Sequence, residues 1–288
     1  MTPAQRLREL LSQPSLEIMP GCYDALSAKL IADAGYKVAF MSGFAVSAAQ
    51  LGLPDTGLIS FTEMRDSLRN CCSAAGNVPL IGDGDTGYGN ALNVQRTVVE
   101  YARAGAAAVM IEDQVSPKKC GHTRGKQVVT REEARMKIRA AIEARADADI
   151  LILARTDARA VHGFDDALAR CRDFEEEGAD IIFLEAPESE DEMRHFCAAM
   201  RKPCMANMVP GGKTPILLPA QLQDIGYKLA VYPVMLLSSA IAAMQATLAA
   251  LRPGSKTPRP PSISFTELQE IVGFPDYWAR ETRYQISE

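Results

Sequence analysis

Eight short apolar runs recur along the chain: LEIMPG, VAFMSG, PLIGD, AAVMIED, ILILARTD, DIIFLEA, CMANMV and LAVYP, with helix-patterned or loop segments between them. Runs this short and this apolar read as strands buried on both faces, the kind found in parallel sheets joined by helical crossovers. Eight strand and helix alternations match the count of a (β/α)8 barrel of the TIM type. Gly35, Gly105, Gly178 and Gly226 each stand where a helix hands over to the next strand, which supports the register. Residues 1–252 therefore read as one barrel domain. Residues 253–288 read as a proline-rich linker and a polar helical tail whose Tyr277, Trp278 and Tyr284 imply docking on the barrel or on a neighbouring subunit.

Two connections stand out. GFAVSAAQLGLPDTGLIS (43–60) reads as a long loop carrying Asp55, and QVSPKKCGHTRGKQVV (114–129) is too long, basic and glycine-bearing for a plain connection. The net charge of −5 argues against nucleic acid or anionic lipid as the main partner. Seven cysteines without CxxC spacing, and a start (MTPAQRLREL) without an apolar signal segment, lead us to expect reduced thiols in the cytoplasm. Leu229 to Leu251 carries no charge and is long enough to span a bilayer. Pro233, Ser238, Ser239, Gln245 and Thr247, and its division into a strand and a helix, argue instead for a buried helix at a subunit interface, with no membrane span.

The chemistry concentrates at Pro79–Asn90, PLIGDGDTGYGN. Asp83 and Asp85, two apart at a strand end, point to one side of the chain. Close carboxylates repel unless a positive charge sits between them, and a hard cation such as Mg²⁺, or Mn²⁺, supplies it. A glycine-rich turn closed by Asx hydrogen bonds accounts for the same residues equally well in isolation. Three motif matches fail here. Gly82, Gly84 and Gly87 fit a dinucleotide fingerprint, but the aspartates would oppose a pyrophosphate. An EF-hand loop from Asp83 places Val94 where a glutamate belongs. GGKT at Gly211–Thr214 has Asn207 at the first glycine of a phosphate loop.

Barrel enzymes draw catalytic groups from the C-terminal ends of several strands. Here Ser42, Asp83, Asp85, Glu112, Arg155, Glu185 and Asn207 each follow an apolar run. One such residue reads as a salt bridge or cap; six strands ending this way read as a site. Asp83, Asp85 and Glu112 suit a water-rich Mg²⁺ site, and Arg155 can hold a carboxylate through two parallel hydrogen bonds. The implied ligand is a small 2-hydroxy or 2-oxo acid. Cys120 lies among Lys118, Lys119, His122 and Arg124, a setting that favours a thiolate. Packing or solvation accounts for Cys71, Cys72, His162 and His195.

Together MSG, DGDTGYGN, IEDQ, KKCGH, ARTDA, LEA and NMVPGGKTP resemble the isocitrate lyase and phosphoenolpyruvate mutase superfamily, over nearly the whole barrel. The resemblance implies a Mg²⁺-dependent barrel whose C-terminal helix is swapped between paired subunits, in a homo-oligomer that is a dimer of dimers. It implies Asp55, Asp83, Asp85 and Glu112 as the metal shell. Ser42, Gly43, Arg155 and Asn207 would meet the substrate carboxylate, and Lys118, Cys120 and His122 would form a gating loop. Glu185 would support Arg155 and that loop.

The cysteine loop is similar to that of the carbon-carbon lyases, which cleave a 2-hydroxy acid by retro-aldol chemistry, with Cys120 then protonating the carbanion. PGGKTP stands where isocitrate lyases carry a Ser-Pro-Ser motif, and Phe40 where they carry a tyrosine. The pattern resembles the branch of 2,3-dimethylmalate lyase and the petal death protein, so the expected substrate is 2,3-dimethylmalate or a related 2-alkylmalate. Ala158 replaces a serine that marks oxaloacetate hydrolases. Alternatives are 2-methylisocitrate cleavage, phosphoenolpyruvate rearrangement to a phosphonate, an oxaloacetate-acting relative, or a noncatalytic ligand-binding barrel.

Overall fold

The structure, a computed structural model, describes every residue except 122–124, 147, 259 and 285–288. Eight strands form one closed parallel barrel in sequence order, and the first pairs with the last, Glu17 opposite Leu229. They are β1 (Glu17–Cys22), β2 (Ala39–Met41), β3 (Leu80–Asp83) and β4 (Ala108–Glu112). β5 (Leu151–Thr156), β6 (Ile181–Leu184), β7 (Cys204–Asn207) and β8 (Leu229–Tyr232) complete it. The expected (β/α)8 architecture is therefore present.

The helices follow the strands. α1 (Pro3–Ser12), α2 (Ala25–Asp33), α3 (Gly43–Leu51), α4 (Phe61–Ala75), α5 (Ala91–Arg103) and α6 (Arg131–Arg145) occupy the first half. α7 (Arg159–His162), α8 (Phe164–Glu177), α9 (Glu190–Ala199) and α10 (Pro219–Ile225) precede the apolar α11 (Met235–Ala250). α12 (Phe265–Val272) and α13 (Phe274–Glu281) make up the tail.

Strand alternation creates two cores. Outward side chains such as Val109, Ile111, Ile152 and Ile182 pack against the helices. Inward ones fill the barrel: Phe40, Ile81, Met110, Leu151, Leu153, Phe183, Met205 and Leu229. Ala4 and Leu7 of α1 join the inner cluster together with Val38 and Ala107, which precede β2 and β4. The helix thus closes the N-terminal mouth. Thr2 starts it with a capping box, accepting from the Gln5 N–H while the Gln5 side chain accepts from the Thr2 N–H. The opposite mouth is left for chemistry.

One expectation needs correction. The segment after β2 is not all loop, because Ser42 caps α3 and Gly52, at φ +64°, ends it. The cap, the small helix formers and the glycine stop were all visible in the sequence. The helix α11 is expected to be buried at a subunit interface rather than within one chain. In the single chain only Leu237 of this helix is buried, and Met244 and Leu248 are 55% and 65% exposed. The sequence makes it apolar on nearly every side, and one chain does not cover such a surface. Among the described residues no helix is long and apolar enough to cross a membrane.

The chain forms two units, Met1–Leu237 and Ser238–Glu288, so α11 runs through their junction. The second unit keeps Phe265, Phe274, Tyr277 and Trp278 exposed.

Candidate active site

In β2 to β7 the inward row continues into a polar residue at or just past the C-terminal end of the strand. Phe40 is followed two residues on by Ser42, Ile81 by Asp83, Met110 by Glu112, Leu153 by Arg155, Phe183 by Glu185 and Met205 by Asn207. Because strand side chains repeat every two residues, all six polar groups lie on the barrel's inner face. The apolar rows below them are the floor on which they stand.

Asp83 is fixed from two sides. Its Oδ2 accepts from the Gly43 N–H at 3.1 Å and its Oδ1 from the Asp85 N–H at 3.1 Å. A Cβ at Gly43 would lie 2.7 Å from Asp83 Oδ2, so only glycine allows this approach. Ser42, expected at a substrate carboxylate, here accepts from the Ala45 N–H at the start of α3. Asp85 sits in the left-handed region at φ +48°, with its carbonyl accepting from the Glu112 N–H at 2.9 Å.

Lys118 enters this acidic group from the loop after β4. Its Nζ lies 2.6 Å from Asp55 Oδ1 and 2.9 Å from Asp85 Oδ1, and all three side chains are at most 5% exposed. Burial pushes the Asp85 carboxyl up to about 7, against the pull of Lys118 and with the repulsion of Asp83 and Asp55. Burial likewise raises Glu112 well above the usual carboxylate range, although Arg155 opposes it. For Lys118, burial disfavours the charge, yet the surrounding acids hold its pKa above the ordinary lysine value.

These residues suit a divalent cation. One ammonium faces four acids, and Asp85 Oδ1 and Glu112 Oε1 have no hydrogen-bond partner of good geometry among the described residues. Asp55 Oδ1 also lacks one, although it and Asp85 Oδ1 both stand at ion-pair distance from Lys118. Surplus buried oxygen donors of this hardness match Mg²⁺ rather than a soft metal. Among the described residues, however, no three acidic, histidine or cysteine side chains converge as direct ligands. The fit is to a cation that keeps much of its water.

Arg155 is the centre of the second half of the site. Its expected two-point grip is made within the chain, Nε to Asp157 Oδ2 at 2.9 Å and Nη2 to Asp157 Oδ1 at 3.0 Å. Glu112 lies 3.3 Å and Glu185 3.9 Å from the same guanidinium. Burial would raise the Asp157 carboxyl, but Arg155 and Lys126 hold it well below the usual range. Asn207 Nδ2 donates to Glu185 Oε1 and Oε2 at 3.3 and 3.2 Å.

The cysteine loop lies on this group. Gln114 holds Lys119 at both ends, its amide donating to the Lys119 carbonyl at 2.8 Å and accepting from the Lys119 N–H at 3.0 Å. A Cβ at Gly121 would stand 2.4 Å from Arg155 Nη2 and 2.6 Å from Glu185 Oε1. Cys120, between Lys119 and Gly121, is thereby carried to the mouth of the barrel. His122 lies outside the described residues. Sequence reasoning gave no role to Asp157, Gln114 or Lys126. Asp157 follows Arg155 by two residues and was visible as its inward neighbour, whereas nothing local marked the other two.

Residues 7–252 match the family model described as phosphoenolpyruvate phosphomutase. The chain is 44% identical to the 2,3-dimethylmalate lyase of Eubacterium barkeri over 95% of each chain. It is 40% identical to a 2-methylisocitrate lyase of Aeropyrum pernix, covering 97% of this chain and 90% of that one. An oxaloacetate acetylhydrolase solved with 3,3-difluorooxalacetate superposes with a TM-score of 0.94 at 34% identity, covering 98% and 97% of the two chains. A phosphonopyruvate hydrolase solved with oxalate and Mg²⁺ superposes at 0.87 with 32% identity, covering 99% of each. The chain belongs to the phosphoenolpyruvate phosphomutase family.

Proposed function

We propose that the protein is a Mg²⁺-dependent carbon-carbon lyase that cleaves 2,3-dimethylmalate or a related 2-alkylmalate to pyruvate and a short carboxylate. The observation that carries this reading is the seating of the cysteine loop, with Gly121 against Arg155 and Glu185 and Lys118 between Asp55 and Asp85. A proton donor on that loop stands over a group that binds carboxylates on one side and a cation on the other. The near full-length similarity to a 2,3-dimethylmalate lyase supports the choice of substrate.

Asp55, Asp83, Asp85 and Glu112 would hold the cation, directly or through water. When bound, Mg²⁺ supplies Lewis-acid polarisation of substrate oxygens. The chain's own groups do the rest. Arg155, held by Asp157, gives the positive charge for a substrate carboxylate, with the amides at the start of α3 and Asn207 as neutral donors. The 2-hydroxyl releases its proton to solvent, its oxygen becomes the carbonyl of pyruvate as the adjacent carbon-carbon bond breaks, and the electron pair of that bond remains on the carbon next to the second carboxylate. The Cys120 thiol gives that carbon its proton, and a thiolate remains to be reprotonated from water. Lys118 and the buried carboxylates around the seated loop keep solvent from competing as the donor.

The setting that goes with this reading is the cytoplasm, where the seven free thiols stay reduced, and a homo-oligomer built on the exposed apolar helix α11. The second reading is 2-methylisocitrate cleavage, favoured by the Aeropyrum relative. Purified protein with Mg²⁺ should release pyruvate from 2,3-dimethylmalate at a higher kcat/KM than from 2-methylisocitrate. Succinate formed from the latter with the higher kcat/KM would reverse the assignment, and turnover of neither would remove it.

A further inference from the structure

Lys126 has no place in the chemistry above, yet its side chain is 2% exposed and tied at two points. Its Nζ donates to the Gly121 carbonyl at 2.5 Å and to Asp157 Oδ1 at 2.7 Å. Its backbone belongs to the fixed base of the loop, because Val115 N–H donates to the Gln127 carbonyl and Val129 N–H to the Asp113 carbonyl, both at 2.9 Å. The carbonyl it grips belongs to the residue after Cys120. The carboxylate it grips is the one that holds the Arg155 guanidinium. Asp157 is in turn fixed by its own N–H donating to Asp113 Oδ1 at 2.8 Å, and Asp113 by Thr156 and Arg170.

We infer that Lys126 is a positioning residue that fastens the Cys120–Gly121 segment onto the Arg155–Asp157 pair, so that the proton donor and the carboxylate-binding arginine are held in register. Three facts argue against a purely structural ammonium. A lysine needed only to balance Asp157 has no reason to reach the loop, since Arg155 already balances that carboxylate through two hydrogen bonds. The loop has no side chain at Gly121 with which to hold itself, and none fits there. The tie is also charge-assisted at both ends, since the ammonium is the donor in each, which makes it stronger than a neutral loop hydrogen bond. Consequences for catalysis rest on the lyase reading, but the tie itself does not.

The test uses the full-length protein without added metal or substrate. Iodoacetamide labelling of Cys120 is followed by mass spectrometry, with the six other cysteines as internal references. Lys126→Met should raise the Cys120 rate on the order of tenfold, the usual effect of losing a hydrogen bond to a charged group, and leave the other thiols unchanged. In the lyase assay it should lower kcat by a similar factor with little change in KM, and Lys126→Arg, which keeps the charge, should recover part of both. A Cys120 rate unchanged in Lys126→Met overturns the proposal. Should that variant not fold, Lys126→Gln is judged by the same criterion. Faster labelling in a protein that cleaves no malate derivative leaves the tie standing and removes the lyase reading; unchanged labelling in an active lyase removes the tie alone.

Discussion

Lys118 and Asp85 meet at 2.9 Å across the mouth of the barrel, the lysine from the loop after β4 and the aspartate from the turn after β3. The same ammonium reaches Asp55, so the chain's own cation occupies the charge position that Mg²⁺ is proposed to serve. On that proposal the two cations compete for one set of oxygens. Lys118→Met should therefore bind Mg²⁺ more tightly, by about tenfold for one charge-assisted hydrogen bond removed, while its turnover falls. Isothermal titration measures the first and the pyruvate assay the second. Weaker Mg²⁺ binding in the variant would mean that Lys118 does not compete with the metal.

Asp85 adopts φ +48°, a backbone conformation that asparagine adopts at less cost than alanine. Asp85→Asn is thus the clean removal of charge. It should stay folded and lose Mg²⁺ binding, whereas Asp85→Ala should lose metal binding and a further stability of about 1 to 3 kcal/mol. Urea unfolding in the presence of a chelator separates the two. Retention of Mg²⁺ affinity by the asparagine variant would exclude Asp85 as a ligand.

Cys120 carries the proton transfer in the proposed mechanism. Cys120→Ser, with a far less acidic hydroxyl, should lose about 10²- to 10⁴-fold in kcat with little change in KM. Oxalate with Mg²⁺ should slow alkylation of Cys120 in the wild-type protein. Near-normal turnover of the serine variant would reduce Cys120 to a loop residue.

The exposed apolar residues of α11 and the tail, among them Leu248 at 65% and Phe265 at 74%, predict assembly. Light scattering should find a dimer of dimers for the full chain and a smaller species after removal of 253–288. A monomeric full-length protein at micromolar concentration would end the proposal that the last helices form an interface.

What was legible in the sequence is what a strand specifies locally. Apolar runs four to eight residues long announce buried parallel strands, and their number closes the barrel. The two-residue period then carries Phe40 to Ser42, Met110 to Glu112 and Phe183 to Glu185, so the inward polar ring could be read from the end of each run. Asp83 followed from the same rule, whereas Asp85 lies past the end of β3 in a left-handed turn that the strand period does not specify. The start of α3 at Ser42 and its stop at Gly52 were also written locally and were passed over as loop.

Only the tertiary structure decided which charges pair. Arg155 turned to Asp157, two residues away, and Lys126 reached Asp157 from 31 residues back, across a loop whose path no periodicity specifies. Lys118 reached Asp55 in the same way, from a different connection of the barrel. Which acid each cation meets depends on where the loops after β2 and β4 lie over the mouth. That placement is set by contacts such as Gly121 on Glu185 and Gln114 on Lys119. Strand patterning is a property of neighbours along the chain, whereas a buried ion pair is chosen by desolvation and distance among groups that folding alone brings together.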